Sequence, residues 1–245
     1  MKNRTILITG GTTGMGLATA QLLLADGAQV IVTGRNAETL AKAQKTLPGA
    51  TVLRSDSSEL ADAQGLGNAV RARTDRLDAV FLNAGIAQFG PFDAATPQDF
   101  DQMFSINVRG VYFQLQSLLP LMSNPSAVVF NSSVASFLAL PGASLYSAAK
   151  GAISALGRSL SVELAARGIR VNTISPGPID TLTPGKLGMS AEAIQSFNAS
   201  QAETTLAKRI GRPEEVAKLV RFLFSEDSAY IVGEEIVIDG GYQHT

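Results

Sequence analysis

Tyr146 and Lys150 stand four residues apart in a stretch of helical spacing, so their side chains project from one face. A free tyrosine has a pKa near 10, about three units too high for efficient proton transfer at neutral pH. A neighbouring ammonium favours the phenolate and lowers that value, each unit representing about 1.4 kcal/mol. Such a pair can donate a proton to a carbonyl or take one from an alcohol. Ser133 lies 13 residues before the tyrosine, just past a short apolar run. Its hydroxyl can hold a substrate oxygen and favour charge developing there. Ser132 is its adjacent competitor, with a capping or turn role as the plainer alternative. A bare Tyr-x-x-x-Lys is more often a surface pair on a helix, and it gains weight here only in company.

The company is at the other end of the chain. A first apolar run leads into Thr9-Gly10-Gly11-Thr12-Thr13-Gly14-Met15-Gly16. A strand, a glycine turn and a helix N-terminus together offer backbone N–H groups and a positive dipole end to a pyrophosphate. Side chains at those glycines would obstruct the turn and the approach of phosphate. The spacing T-G-x-x-x-G-x-G differs from the usual G-x-G-x-x-G fingerprint. NAD sites place an acid about 20 residues past such a turn, where it accepts from the ribose 2′-OH. Counting from Gly14, that position is Gly34, and Arg35 follows it. Glycine leaves room for a 2′-phosphate, and a permanently charged planar guanidinium suits its oxygens. This reads as an NADP(H) site, with NAD(H) as the lesser alternative and a solvated surface arginine as the plain one.

These residues need a frame, and the chain supplies one. Short β-branched runs (Thr5–Thr9, Gln29–Thr33, Thr51–Ser55, Asp78–Leu82, Ala127–Asn131, Ile169–Ile174 and Glu235–Ile238) alternate with helical patterns. The helical patterns cover Gly16–Asp26, Asn36–Thr46, Ser58–Ala72, Pro97–Met122, Ser144–Arg167 and Pro213–Phe224. The alternation predicts an α/β fold, a single-domain, Rossmann-like, doubly wound parallel sheet of about seven strands with helices on both faces. The polar stretch Pro178–Arg212 breaks the rhythm with Pro184, Gly185 and Gly188, and is expected to be a mobile substrate lid.

Composition removes other chemistries. There is no cysteine, and His244 is the only histidine, so thiolate sites, a Ser-His-Asp triad and a multi-histidine metal site cannot form within one chain. No metal site is expected. Lys+Arg is 20 against Asp+Glu 21, which argues against a nucleic-acid or anionic-membrane surface. The short N-terminal apolar run does not fit a signal peptide, and no run has membrane-spanning length, so a cytoplasmic protein is expected.

Taken together, T-G-x-x-x-G-x-G, Asn83-Ala84-Gly85, Ser133, Tyr146-x-x-x-Lys150, Pro176-Gly177 and the closing Ile238-Asp239-Gly240-Gly241 resemble the short-chain dehydrogenase/reductase family. The match runs over essentially the whole chain, in order. The resemblance implies an NADP(H)-dependent oxidoreductase of carbonyl reductase or alcohol dehydrogenase type. A hydride would move between the nicotinamide and a ketone, aldehyde or secondary alcohol. Catalysis would fall to Asn107, Ser133, Tyr146 and Lys150. Lys150 would also hold the nicotinamide ribose, while Asn107 kinks its helix to hold a proton-relay water; a plain polar helix residue is an equal reading of Asn107. Gly10, Thr12, Thr13, Gly14, Met15 and Gly16 would cradle the pyrophosphate. Asn83, Ala84 and Gly85 would lie beside the adenosine half and steady the sheet. Asp56, with Ser57, would contact adenine, though an exposed turn aspartate reads almost as well. Pro176, Gly177, Ile179 and Thr181 would hold the carboxamide and pyrophosphate. Phe137, Leu138, Leu140, Leu182, Leu187 and Met189 are candidate walls of an apolar pocket, or equally core. A homotetramer is implied, built on the long helical regions with Ala148, Ala149, Ala152, Ala155 and Leu156. A non-catalytic NADP(H)-binding redox sensor is the second reading, but such members of the family usually lose the tyrosine or the lysine.

Overall fold

The computed structural model describes residues 1–181 and 190–245. Seven parallel strands form one sheet: β1 (Thr5–Thr9), β2 (Gln29–Gly34), β3 (Thr51–Arg54), β4 (Leu77–Leu82), β5 (Met122–Asn131), β6 (Ile169–Pro176) and β7 (Glu235–Ile238), in the order β3-β2-β1-β4-β5-β6-β7. The strand order reverses between β1 and β4, which opens a crevice beyond their carboxyl ends, where open α/β sheets take ligands.

Successive residues of a strand point to opposite faces, and both faces here are apolar. From β1, Ile6 and Ile8 enter one core with Val32, Phe81 and Val129, under α1 (Gly14–Ala25) and α8 (Pro213–Phe224). Leu7 enters the other core with Val80, Leu82 and Phe130, under α3 (Leu60–Arg71), α5 (Val111–Leu118) and α6 (Ser144–Glu163). A fully buried Phe81 or Phe130 contributes about 1.5–3 kcal/mol, so the two cores fix the strand ends rigidly.

Several boundaries differ from the sequence reading. The helical region expected over Pro97–Met122 is α4 (Pro97–Phe104), a π-helical turn (Ser105–Gly110), α5 and a 3-10 turn (Leu119–Leu121). Met122 belongs instead to β5, where it pairs with Leu77 across an irregular register. β6 continues two residues past Ile174 to Pro176, because Ser175 and Pro176 pair with Val237 and Ile238. α2 (Ala37–Thr46) starts one residue late because Asn36 is its N-cap, its Oδ1 accepting from Thr39 N at 3.0 Å. The expected lid over 178–212 falls partly outside the described residues, as do Leu182, Leu187 and Met189. Its described part is not an irregular loop: it contains α7 (Ala191–Glu203), capped by Ser190, whose Oγ accepts from Ala193 N at 3.2 Å. Its ends are tied together, Asp180 N donating to Gly211 O and Gly211 N to Pro178 O, both at 2.8 Å.

Candidate active site

The glycine turn leaves β1 and opens α1 at Gly14. Its glycines do different jobs. Gly10 sits at φ +63°, and a Cβ there would meet the Ala84 Cα at 2.9 Å, so it lets the turn pack on the end of β4. A Cβ on Gly16 would lie 2.4 Å from the Gly10 carbonyl oxygen, so Gly16 lets α1 close onto the turn. Gly14, at φ +55°, meets nothing closer than the Thr181 side chain at 3.7 Å. It therefore presents open backbone between the helix N-terminus and Thr181. α1 has no acidic residue in its first turn, and Thr13 gives it no side-chain cap. An uncapped positive helix end beside open glycine backbone fits an anionic pyrophosphate. Met15 lies in that first turn and is partly buried against the core. Thr12 is turned away from the opening, its Oγ1 3.3 Å from the Thr39 hydroxyl.

The end of β4 is tied to this turn. Thr9 Oγ1 accepts from Asn83 N at 3.0 Å and Ala84 N at 3.1 Å, while Asn83 Nδ2 donates to the carbonyls of Thr9 and Gly10, each at 3.1 Å. Asn131 Nδ2, at the end of β5, donates to Asn83 Oδ1 at 3.1 Å. Asn83 thus joins the ends of three adjacent strands. A Cβ on Gly85 would lie 3.0 Å from Asn107 Oδ1 and 3.7 Å from Lys150 Nζ, so Gly85 lines the path between them.

Arg35 and Asp56 leave β2 and β3 side by side, with Nη1 3.7 Å from Oδ1. The arginine is half-exposed. Asp56 Oδ1 is anchored by Ser58 N at 3.0 Å and the Ser58 hydroxyl at 2.8 Å. Ser57 is buried and its hydroxyl accepts from Gln114 Nε2 at 3.0 Å. A Cβ at Gly34 would meet Thr12 Cγ2 at 2.8 Å and Oγ1 at 3.0 Å. Thr12 makes that position a glycine for packing reasons. On the far side, Gly177 N donates to Ile238 O at 3.0 Å and Ile179 bridges to Gly211. This holds Pro176–Thr181 above the crevice, with Thr181 facing Gly14.

Ser133, Tyr146 and Lys150 converge at the carboxyl edge of β5. Ser133 N-caps the 3-10 turn Val134–Ser136, its Oγ accepting from Ala135 N at 3.2 Å. The Ser133 hydroxyl also acts on the Tyr146 phenol, favouring its ionised form. Lys150 lies one turn along α6, only 5% exposed, with Nζ 5.7 Å from the centre of the Tyr146 ring and donating to the Asn131 carbonyl at 2.7 Å. Ser132 faces the other way: its Oγ donates to the Lys150 carbonyl at 3.0 Å and lies 2.9 Å from the Ser154 hydroxyl. Ser132 therefore fastens the strand end to α6 while Ser133 faces the tyrosine. Asn107 is buried in the π-helical turn. Its Nδ2 donates to Ile86 O and its Oδ1 accepts from Ile86 N, both at 2.8 Å. The side chain thus clamps the loop after β4 to the π-helical turn.

Burial pushes the Tyr146 phenol up from its ordinary value, with the Ser133 hydroxyl working against it. Burial lowers Lys150 itself to about 8. The tyrosine therefore stands protonated at neutral pH, as a proton donor must. Two further residues of this region escaped the sequence reading. Asn131 holds Lys150 through its carbonyl, and the only sign of it was an asparagine closing an apolar strand. Phe89 sets its ring 5.6 Å from that of Tyr146 at 59°. It is 52% exposed, an apolar wall beside the phenol that no spacing rule would reveal. Phe137 is likewise exposed on the loop following the Ser133 turn, while Leu138 and Leu140 are half-buried.

A doubly wound parallel sheet with a glycine turn at its switch point, and a Ser/Tyr/Lys cluster one strand away, defines a Rossmann-like oxidoreductase scaffold. Residues 10–243 match the family model described as Enoyl-(Acyl carrier protein) reductase. Cyclopentanol dehydrogenase of Comamonas testosteroni is 33% identical, the match covering 99% of this chain and 98% of the relative. The NADP-dependent (R)-specific alcohol dehydrogenase of Lentilactobacillus kefiri is 31% identical over 99% of this chain and 97% of the relative. The crystal structure of a short-chain dehydrogenase/reductase from Brucella melitensis superposes with a TM-score of 0.91 at 31% identity, covering 99% of this chain and 97% of that one. This chain belongs to the short-chain dehydrogenase/reductase family, and it is an oxidoreductase of that type.

Proposed function

We propose that the chain is an NADP(H)-dependent carbonyl reductase or alcohol dehydrogenase, acting as one domain over its whole length, with Tyr146 as general acid/base. Bound NADPH would supply the hydride to the carbonyl carbon. Tyr146 gives its proton to the carbonyl oxygen as that oxygen gains charge, and takes it back in the reverse direction. Ser133 holds the same oxygen. Lys150 holds the nicotinamide ribose, and Asn107, locked to Ile86, keeps the loop after β4 in place beside it. The single observation that carries this reading is the convergence of Ser133, Tyr146 and Lys150 at the end of β5, with the buried Lys150 amine 5.7 Å from the Tyr146 ring. A pure redox sensor has no use for a phenol so poised beside a buried amine.

The preference for NADP(H) rests on Arg35, and the NADP-dependent relative is in keeping with it. Phe89 and Phe137 favour an apolar substrate, and the cyclopentanol-oxidising relative suggests a small cyclic secondary alcohol or its ketone. The proposal includes a cytoplasmic homotetramer. α4 and α5 carry exposed Phe100 and Tyr112 beside a groove lined by Phe104, Val108 and Phe113, and α6 leaves Ala148 and Ala155 exposed. It also includes closure of the 178–212 segment over ligand. NADPH and NADH absorbance decay with cyclopentanone, acetophenone and 2-butanone tests the activity. Turnover with none of them, at substrate and enzyme levels where a reductase is readily seen, would overturn it. Light scattering at the monomer mass of 25.6 kDa would remove the tetramer.

A further inference from the structure

Glu235 stands on β7, beyond the cofactor crevice and out of contact with Tyr146, yet one of its carboxylate oxygens gathers hydroxyls from three other elements. Oε1 accepts from Ser175 on β6 at 2.6 Å, from Ser154 on α6 at 2.7 Å and from Ser136 in the turn after β5 at 3.1 Å. Oε2 lies 3.5 Å from Arg158 Nη1. Ser175 and Ser154 are buried. A carboxylate accepts such bonds more strongly than a neutral oxygen, and a buried hydroxyl that loses its acceptor is destabilising.

Two of these serines, Ser154 and Ser136, lead to the catalytic cluster. Ser154 is one helical turn beyond Lys150. Its hydroxyl donates to Glu235 at 2.7 Å, and its Oγ also lies 2.9 Å from the hydroxyl of Ser132, which donates to the Lys150 carbonyl at 3.0 Å. Ser136 shares the 3-10 turn capped by Ser133, and its Oγ lies 2.7 Å from the Ser133 carbonyl as well as 3.1 Å from Glu235. The carboxylate therefore pins the Ser133 turn and the Tyr146/Lys150 helix to the same point on the sheet.

We propose that Glu235 is a positioning residue for Ser133, Tyr146 and Lys150, acting through the Ser136 and Ser154 hydroxyls. The inference rests on the reading above that these three carry the reaction. Its test compares wild type, Glu235→Ala, Glu235→Gln, Ser154→Ala and Tyr146→Phe, with NADPH and whichever of the three ketones the wild type reduces fastest. NADPH affinity is measured alongside by fluorescence titration. A displacement near 1 Å of a catalytic group costs up to about 100-fold in rate. Glu235→Ala is expected to lose about 10- to 100-fold in kcat with NADPH affinity unchanged. Glu235→Gln, whose amide oxygen still accepts the hydroxyls, recovers most of the rate, and Ser154→Ala falls between. Should Glu235→Ala not fold, the contrast between Glu235→Gln and Ser154→Ala decides. Wild-type kcat in Glu235→Ala, equal loss in Glu235→Ala and Glu235→Gln, or parallel loss of kcat and NADPH affinity would overturn the positioning role. Ser154→Ala as active as Glu235→Gln would do the same. An active Tyr146→Phe, or a wild type that reduces no ketone, would instead remove the reading beneath it.

Discussion

Replacing Arg35 by alanine tests the cofactor preference, and the structure changes the size of the effect to expect. A hydrogen bond to a charged group contributes about 1.5–3 kcal/mol. Arg35 is not free to give all of that to a 2′-phosphate, because its guanidinium lies 3.7 Å from the Asp56 carboxylate. Both groups reach solvent, their side chains 50% and 17% exposed, and an exposed pair of this kind contributes about 0.2–1 kcal/mol. Giving up that pairing leaves about 0.5–2.8 kcal/mol, a loss of about 2- to 100-fold in NADPH affinity for Arg35→Ala. NADH affinity should hardly change. Asp56→Asn is the companion variant. The asparagine Oδ1 can keep the bonds from Ser58 N and the Ser58 hydroxyl, so the loop stays in place while the competing charge is removed. NADPH should then bind more tightly than to wild type. Both constants are read by fluorescence titration at one fixed ionic strength, since exposed charges are screened by salt. Equal weakening of NADPH and NADH by Arg35→Ala, or no weakening, would refute the role of this arginine.

Other outcomes follow from the same geometry. Gly34→Asp should not by itself convert the site to NAD(H), because its Cβ would meet Thr12 Cγ2 at 2.8 Å; a strain of about 1–3 kcal/mol should appear as a lower denaturation midpoint. Adding Thr12→Ala should restore stability and give the shift towards NADH, and a single Gly34→Asp variant of wild-type stability would contradict the packing argument. Lys150, lowered by burial from 10.5 to about 8, makes stability depend on pH. Between those values the unfolded chain binds the proton more tightly than the folded one, so stability rises with pH through that window. The slope is at most about 1.4 kcal/mol per pH unit. Urea midpoints should climb from pH 8 to 10 in the wild type relative to Lys150→Met, and parallel curves would show that the amine is not desolvated in solution.

Much of the frame was legible because burial on both faces forces continuous apolar strands, as in Ile6-Leu7-Ile8 and Val128-Val129-Phe130. The Tyr146/Lys150 pair was legible because four residues are one turn of helix wherever that helix packs. The π-helical turn was less visible: Asn107 hinted at a break, but its lock on Ile86 joins residues 21 apart in sequence. β5 starts at Met122 although the strand-like apolar run begins only at Ala127, because pairing with β4 and not local propensity sets the boundary. Sequence displays the charge neighbouring the phenol but hides its desolvation. The packing of Thr12 against Gly34 was not legible, because it joins the glycine turn to the end of β2. Glu235 and Phe89 gave no sign, since each acts through contacts made only when distant segments meet.

The central claim is that Tyr146 moves the proton while the rest of the site holds cofactor and substrate. It is tested most directly by Tyr146→Phe, with ketone-dependent NADPH oxidation and NADPH affinity measured on the same preparation. Removing a positioned acid/base costs about 10²–10⁴ in rate. The expected result is a kcat reduced by that order with NADPH binding intact; a variant that keeps most of the wild-type kcat would contradict the assignment.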